Sequence, residues 1–210
     1  MPKFYDFQRA PSPRRARIVL AEKGIAHEVQ LIDLAAGEQL TGAYRAINPA
    51  CTVPALVLDD GAVLTDNAGI AAWAEAVQPQ PPLLGTTPTE KAAVASWNAK
   101  IESECFAAIA EVLRNTSKGM VDRALPGPDN FAQIPELAAR GRTRLLQFLS
   151  RFEEHMTGRE WVATDAFTLA DITAGVALDF AGWVKVDANE CRPAIAAWRE
   201  RLMARPSFGL

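Results

Sequence analysis

The sequence predicts an α/β domain followed by an all-α helical bundle. Three observations carry that prediction. Two short apolar runs, Ala55–Leu58 and Ala62–Leu64, flank Asp59-Asp60-Gly61, which is the pattern of a β-hairpin. The stretch Gln78-Pro79-Gln80-Pro81-Pro82 breaks the chain and reads as a stiff linker. From Thr87 onward the apolar periodicity is helical, with no convincing strand. The expected division is therefore 1–78, a linker at 79–88, and 89–210.

In chain order, Lys3–Phe7 is a short aromatic-rich strand. Ser12 is placed as the N-cap of the first helix and Pro13 at N1, where a missing N–H costs nothing. That helix runs from Arg14 to Lys23, turns Ile18, Val19 and Ala21 inward, and stops at Gly24. His27–Ile32 alternates as a second strand with Val29 and Leu31 on one face, Asp33–Thr41 is a loop, and Ala43–Ile47 makes one helical turn. Val53-Pro54 opens the hairpin, where proline is tolerated because the first strand residue need not donate. Thr65, Asp66 and Asn67 stand at the start of a helix over Ala68–Val77. The order β-α-β-α-β-β-α fits a mixed four-stranded sheet of the thioredoxin type. Beyond the linker, helices are expected at Thr89–Arg114, Phe131–Met156 with a kink at Pro135, Ile172–Trp183 and Pro193–Ala204. Thr168-Leu169-Ala170-Asp171 has the spacing of a capping box with Asp in the reciprocal role.

Composition narrows the function classes. Of the 210 residues, 49% are hydrophobic and 22% charged, which excludes a disordered chain. Net charge is −3 with both signs interspersed, so no basic stripe argues for nucleic acid. No apolar run approaches membrane-spanning length. Met1-Pro2-Lys3-Phe4 lacks a signal-peptide h-region, which predicts the cytoplasm. Cys51, Cys105 and Cys191 form no CxxC and no metal-ligand spacing, which predicts free thiols and no metal.

Four segments resemble, in the same order, those of the cytosolic glutathione S-transferases. They are Pro11-Ser12-Pro13-Arg14-Arg15-Ala16-Arg17-Ile18, Asn48-Pro49 with Val53-Pro54, Phe167-Thr168-Leu169-Ala170-Asp171, and Ala197-Trp198 with Arg205-Pro206. The Pro-Ser-Pro-Arg-Arg start most resembles an atypical fungal and bacterial subgroup. The resemblance implies a thioredoxin-like, glutathione-binding N-terminal domain. It further implies a hydrophobic electrophile held between the domains, detoxifying conjugation, and a two-fold homodimer.

The residues themselves fit that chemistry. A strand edge with unpaired backbone and the positive end of a helix come together within about fifteen residues, so a peptide can pair with one while its carboxylate sits on the other. By resemblance, Val53 and Pro54, joined by a cis bond, pair with the cysteinyl residue of glutathione. Asp66 meets the γ-glutamyl ammonium, Asn67 holds the γ-glutamyl carboxylate where the family usually has serine, and Gln39 meets the glycyl carboxylate. The bland alternative is that Asp66 or Asn67 only caps the helix. For thiol activation the first candidate is the Ser12 hydroxyl, which would otherwise be a plain cap. The rival is a water oriented by Arg114 and Asn115, although an arginine near a helix end also complements the dipole. The family's N-terminal tyrosine aligns with Asp6, which leaves Tyr5 as a core residue. Two other functions stay open: a non-catalytic binding or carrier protein, and a glutathione-dependent thiol reductase using Cys51.

Overall fold

In the structure, a computed structural model describing residues 1–210, the sheet is built around β1 (Lys3–Asp6). It pairs in parallel with β2 (Glu28–Leu31) and antiparallel with β3 (Ala55–Val57), which pairs antiparallel with β4 (Val63–Leu64). The order β2-β1-β3-β4 is the mixed four-stranded sheet the sequence predicts. Helices α1 (Pro11–Glu22), α2 (Gly42–Arg45) and α3 (Asn67–Val77) complete a compact unit of Met1–Pro81, with 126–129 and Leu210. Alternation along β1 divides its core. Phe4 packs with Ala16, Leu20, Leu56 and Ile70, while Tyr5 and Phe7 lie against Ile32, Tyr44 and Val53. Each fully buried leucine or isoleucine here contributes about 1.5–3 kcal/mol.

The first unit departs from the sequence expectations at α1 and β2. The N-cap of α1 is Ala10, not Ser12, and Pro11 takes the opening position. The reason is the tight turn before it, where the Ala10 N–H donates to the Phe7 carbonyl at 2.9 Å and starts the helix earlier. Ser12 consequently lies inside the first turn. On the same helix Ala21 is exposed and Leu20 takes the inward place. On the edge strand β2, Val29 and Leu31 share a face as expected, but that face is exposed.

The second unit comprises Pro82–Leu125 and Asn130–Gly209. Its first helix, α4 (Pro88–Lys100), is opened by the reciprocal Thr87 and Glu90 caps. A π-helical turn, Ile101–Phe106, joins it to α5 (Ala107–Thr116), so the expected single helix carries one wide turn in its middle. Helix α6 (Pro135–Met156) begins at Pro135 rather than bending there, because the first turn is where a residue without an N–H fits. Every residue of α7 (Leu169–Ala181) except Asp179 is buried. Helix α8 (Pro193–Met203) packs Trp198 fully inside. No helix is long and apolar enough to cross a membrane.

Candidate functional site

Side-chain hydrogen bonds fix the backbone of the residues ahead of β3. Tyr44, on α2, is 2% exposed, and its hydroxyl donates to the Thr52 carbonyl at 2.6 Å. The Asn48 amide donates to the same carbonyl at 2.8 Å and to the Thr52 hydroxyl oxygen at 3.2 Å. Its own oxygen accepts from the Ala50 N–H at 3.0 Å. Burial pushes the Tyr44 hydroxyl pKa up to about 12, so it stays a donor at all ordinary pH. Between these anchors Cys51 takes a left-handed conformation, φ 55°, with its thiol 3.5 Å from the Pro49 carbonyl. The Val53–Pro54 bond is cis. Val53 lies just outside the sheet ladder, and neither its N–H nor its carbonyl forms a hydrogen bond within the chain.

At the start of α3, Asp66 is the N-cap, its carboxylate accepting from the Gly69 N–H at 2.7 Å. The side chain is exposed. Asn67, the first helical residue, donates its amide to the Ser12 oxygen at 2.9 Å. Its own oxygen is buried without a partner. Ser12 and Asn67 are 55 residues apart in sequence, and no local pattern predicts their pairing. Gln39 sits in a short 3-10 turn, Glu38–Leu40, and its side-chain oxygen is likewise buried and unpartnered. Neighbouring bonds hold that loop: Glu38 accepts from the Asp33 N–H at 2.7 Å, and Asp33 accepts from Ala35 and Ala36. The aligned Asp6 is 1% exposed and pairs with Arg17 at 2.9 Å. Burial raises its pKa, against the opposing pull of Arg17.

Arg114 and Asn115 belong to the second unit, at the end of α5. The Arg114 guanidinium donates to the Arg123 carbonyl at 2.9 Å, and burial, then the Arg123 charge, lowers its pKa. Asn115 is buried, donates to the Glu111 carbonyl and accepts from the Ile134 N–H, each at 2.8 Å. Its amide thus ties the end of α5 to the approach of α6. All three cysteines are free; Cys51 and Cys105 are buried and Cys191 is exposed. Tyr44 and Asn48 were not singled out from sequence. Asn48 belongs to the Asn48-Pro49 segment, whereas Tyr44 lies in the helical turn expected over Ala43–Ile47 with nothing local to mark it.

Comparison with known proteins finds relatives that span both units. Residues 10–77 match the family model for the glutathione S-transferase N-terminal domain, and 120–206 match that for the C-terminal domain. Glutathione S-transferase 2 of Saccharomyces cerevisiae is 34% identical over 206 residues, 97% of this chain and 86% of that protein. A glutathione S-transferase domain-containing protein of Marinobacter aquaeolei superposes with a TM-score of 0.89 at 34% identity, over 98% of both chains. Gtt2 of Saccharomyces cerevisiae superposes with a TM-score of 0.88 at 32% identity, over 98% of this chain and 97% of that one. With two domain models matched in order and relatives aligned across almost its whole length, the chain belongs to the glutathione S-transferase family.

Proposed function

We propose that this protein is a glutathione transferase. It binds glutathione in the first unit, holds the sulfur as a thiolate and joins it to a small hydrophobic electrophile. The observation that carries this reading is the free backbone of Val53, presented with fixed orientation in the same unit as the capped start of α3. A cysteinyl residue can exchange two hydrogen bonds with Val53 beside Pro54. The γ-glutamyl end then meets the exposed Asp66 carboxylate and the Asn67 N–H at the helix start. The Gln39 amide remains a donor for the glycyl carboxylate. In the reaction with an aryl halide the sulfur–carbon bond forms, the carbon–halogen bond breaks, halide leaves, and the thiol proton passes to solvent.

A free thiol has a pKa of about 8.5, so lowering it by about two units takes roughly 2.7 kcal/mol of preference for the thiolate. A hydroxyl donor and a helix N-terminus supply that order of energy. Ser12 is the donor we assign. Its oxygen already accepts from Asn67, which leaves its proton to give. The same contact favours a second reading, in which Ser12 serves the γ-glutamyl end beside Asn67. A water oriented by Arg114 and Asn115 has less support, because both ends of the Asn115 amide are engaged. A reductase using Cys51 also has less support, since that thiol is 3% exposed. The yeast relatives support the fungal and bacterial subgroup. A homodimer and a cytoplasmic location complete the proposal on the family resemblance.

The test is conjugation of glutathione to a generic aryl halide, with calorimetric binding alongside. Binding without turnover would leave a carrier. Ser12→Ala is expected to lower kcat about 10²-fold with KM little changed. A raised KM with kcat intact would move Ser12 to the γ-glutamyl end, and no change in either would return the water.

A further inference from the structure

Resting on the transferase reading, we propose that Tyr44 and Asn48 are positioning residues that aim the Val53 N–H at glutathione by gripping the Thr52 carbonyl from the opposite side. The Thr52–Val53 peptide is trans, the cis bonds being Val53–Pro54 and Gln80–Pro81. In a planar trans peptide the N–H points opposite to the carbonyl of the same unit. Two buried donors fix that carbonyl, the Tyr44 hydroxyl at 2.6 Å and the Asn48 amide at 2.8 Å. The Val53 N–H is therefore directed away from the α2 side, and the chain offers it no acceptor.

The clamp is itself fixed. Asn48 accepts from Ala50 at 3.0 Å, and the Tyr44 ring meets Tyr5 edge-on with centroids 5.8 Å apart. Neither side chain has room to follow a loop that swings. Without the grip, the Thr52–Val53 peptide plane can rotate, and the donor that meets the cysteinyl carbonyl is no longer set in advance. Binding then includes an ordering cost that the native loop has already met during folding. Such a loss falls on glutathione affinity equally in ground and transition states, so it appears in KM and not in kcat.

The experiment is steady-state kinetics of Tyr44→Phe, which removes one oxygen and keeps the ring. The expected result is a rise in KM for glutathione of about fivefold, with kcat unchanged and KM for the aryl halide unchanged. Asn48→Asp, which keeps the acceptor for Ala50 and removes the amide donor, is expected to go further in the same direction. A glutathione analogue methylated at the cysteinyl nitrogen supplies the readout that a merely structural role does not move. It already lacks part of the backbone pairing, so its loss of affinity and that of Tyr44→Phe should be less than additive. An unchanged KM in Tyr44→Phe, a fall confined to kcat, or strict additivity with the analogue would each overturn the proposal. If the native protein shows no calorimetric binding of glutathione, the transferase reading goes as well. Native binding with an indifferent Tyr44→Phe removes only the clamp.

Discussion

The Asp171 carboxylate accepts from four donors: the Val162 and Thr168 N–H groups at 2.9 Å, the Thr168 hydroxyl at 3.0 Å and the Trp198 indole at 3.0 Å. It is 0% exposed, so removing it strands all of them away from water. Asp171→Ala is expected to cost about 3–5 kcal/mol, measured as a lower denaturant midpoint at unchanged m. A loss under about 1 kcal/mol would mean the donors find other partners. Half of this network was legible in sequence, as the Thr168-to-Asp171 spacing; the Val162 and Trp198 donors arrive only through tertiary packing. His155 couples stability to pH. Its ring lies 4.0 Å from Trp97, its Nε2 is bonded to the Val162 carbonyl at 2.7 Å, and burial lowers its pKa below 6.5. The nearby Arg159 and Lys100 charges act in the same direction. A lowered folded pKa means the unfolded chain takes the proton first, so this contribution is present above 6.5 and is lost as pH falls through the lowered folded value. Melting temperature followed from roughly pH 7.5 to 5.5 should fall less steeply in His155→Gln than in the native protein. Parallel slopes would count against it.

Helices α5 and α6 approach closely because Gly141 has no side chain. A Cβ there would stand 2.7 Å from the Ala108 carbonyl oxygen and 2.8 Å from the Glu111 Cβ. Backbone on one side cannot move aside cheaply. Gly141→Ala is expected to destabilise by about 1–3 kcal/mol in chemical denaturation, despite alanine's better helix propensity. A stabilised variant would show that the crossing is looser than this. Around the same crossing Glu111 pairs with Arg140 and Arg144, both at 2.9 Å, and Arg144 also donates to the Ser103 carbonyl in the π-helical turn. That turn explains where sequence reading of the elements failed. Apolar spacing over 89–114 predicts one helix, and the wide turn inside it rotates the apolar face without interrupting the helical spacing on either side. Pro135 failed differently. A proline read alone marks either a kink or a helix start, and only the bonds of its neighbours decide. Those are the Gln133 amide on the Arg114 and Ser117 carbonyls and the Ile134 N–H on Asn115.

The whole molecule holds two units, each with its own core, and all the proposed glutathione contacts lie in the first. A ligand that binds only the folded state stabilises it, by about 2.7 kcal/mol at roughly a hundred times its dissociation constant. Trp73 lies in the first unit, whereas Trp97, Trp161, Trp183 and Trp198 lie in the second. Glutathione should therefore raise the melting transition in a variant that keeps Trp73 as its sole tryptophan. No shift at saturating glutathione would sink the binding site proposed here. Much of this site was legible because it is local: hairpin, proline and helix start follow one another in 53–67. What escaped were the approaches across sequence, Asn67 to Ser12 and Tyr44 to Thr52, which exist only once the sheet has closed. One tie of the first unit has a practical side. The Lys23 side chain is 0% exposed, paired with Glu75 at 2.5 Å and bonded to the Pro81 carbonyl where the chain leaves the unit. An amine buried in such an ion pair is out of reach of acylating reagents. Cross-linkers and biosensor surfaces that couple through lysine will pass over it, so its modification in a labelling map would signal that the first unit had opened.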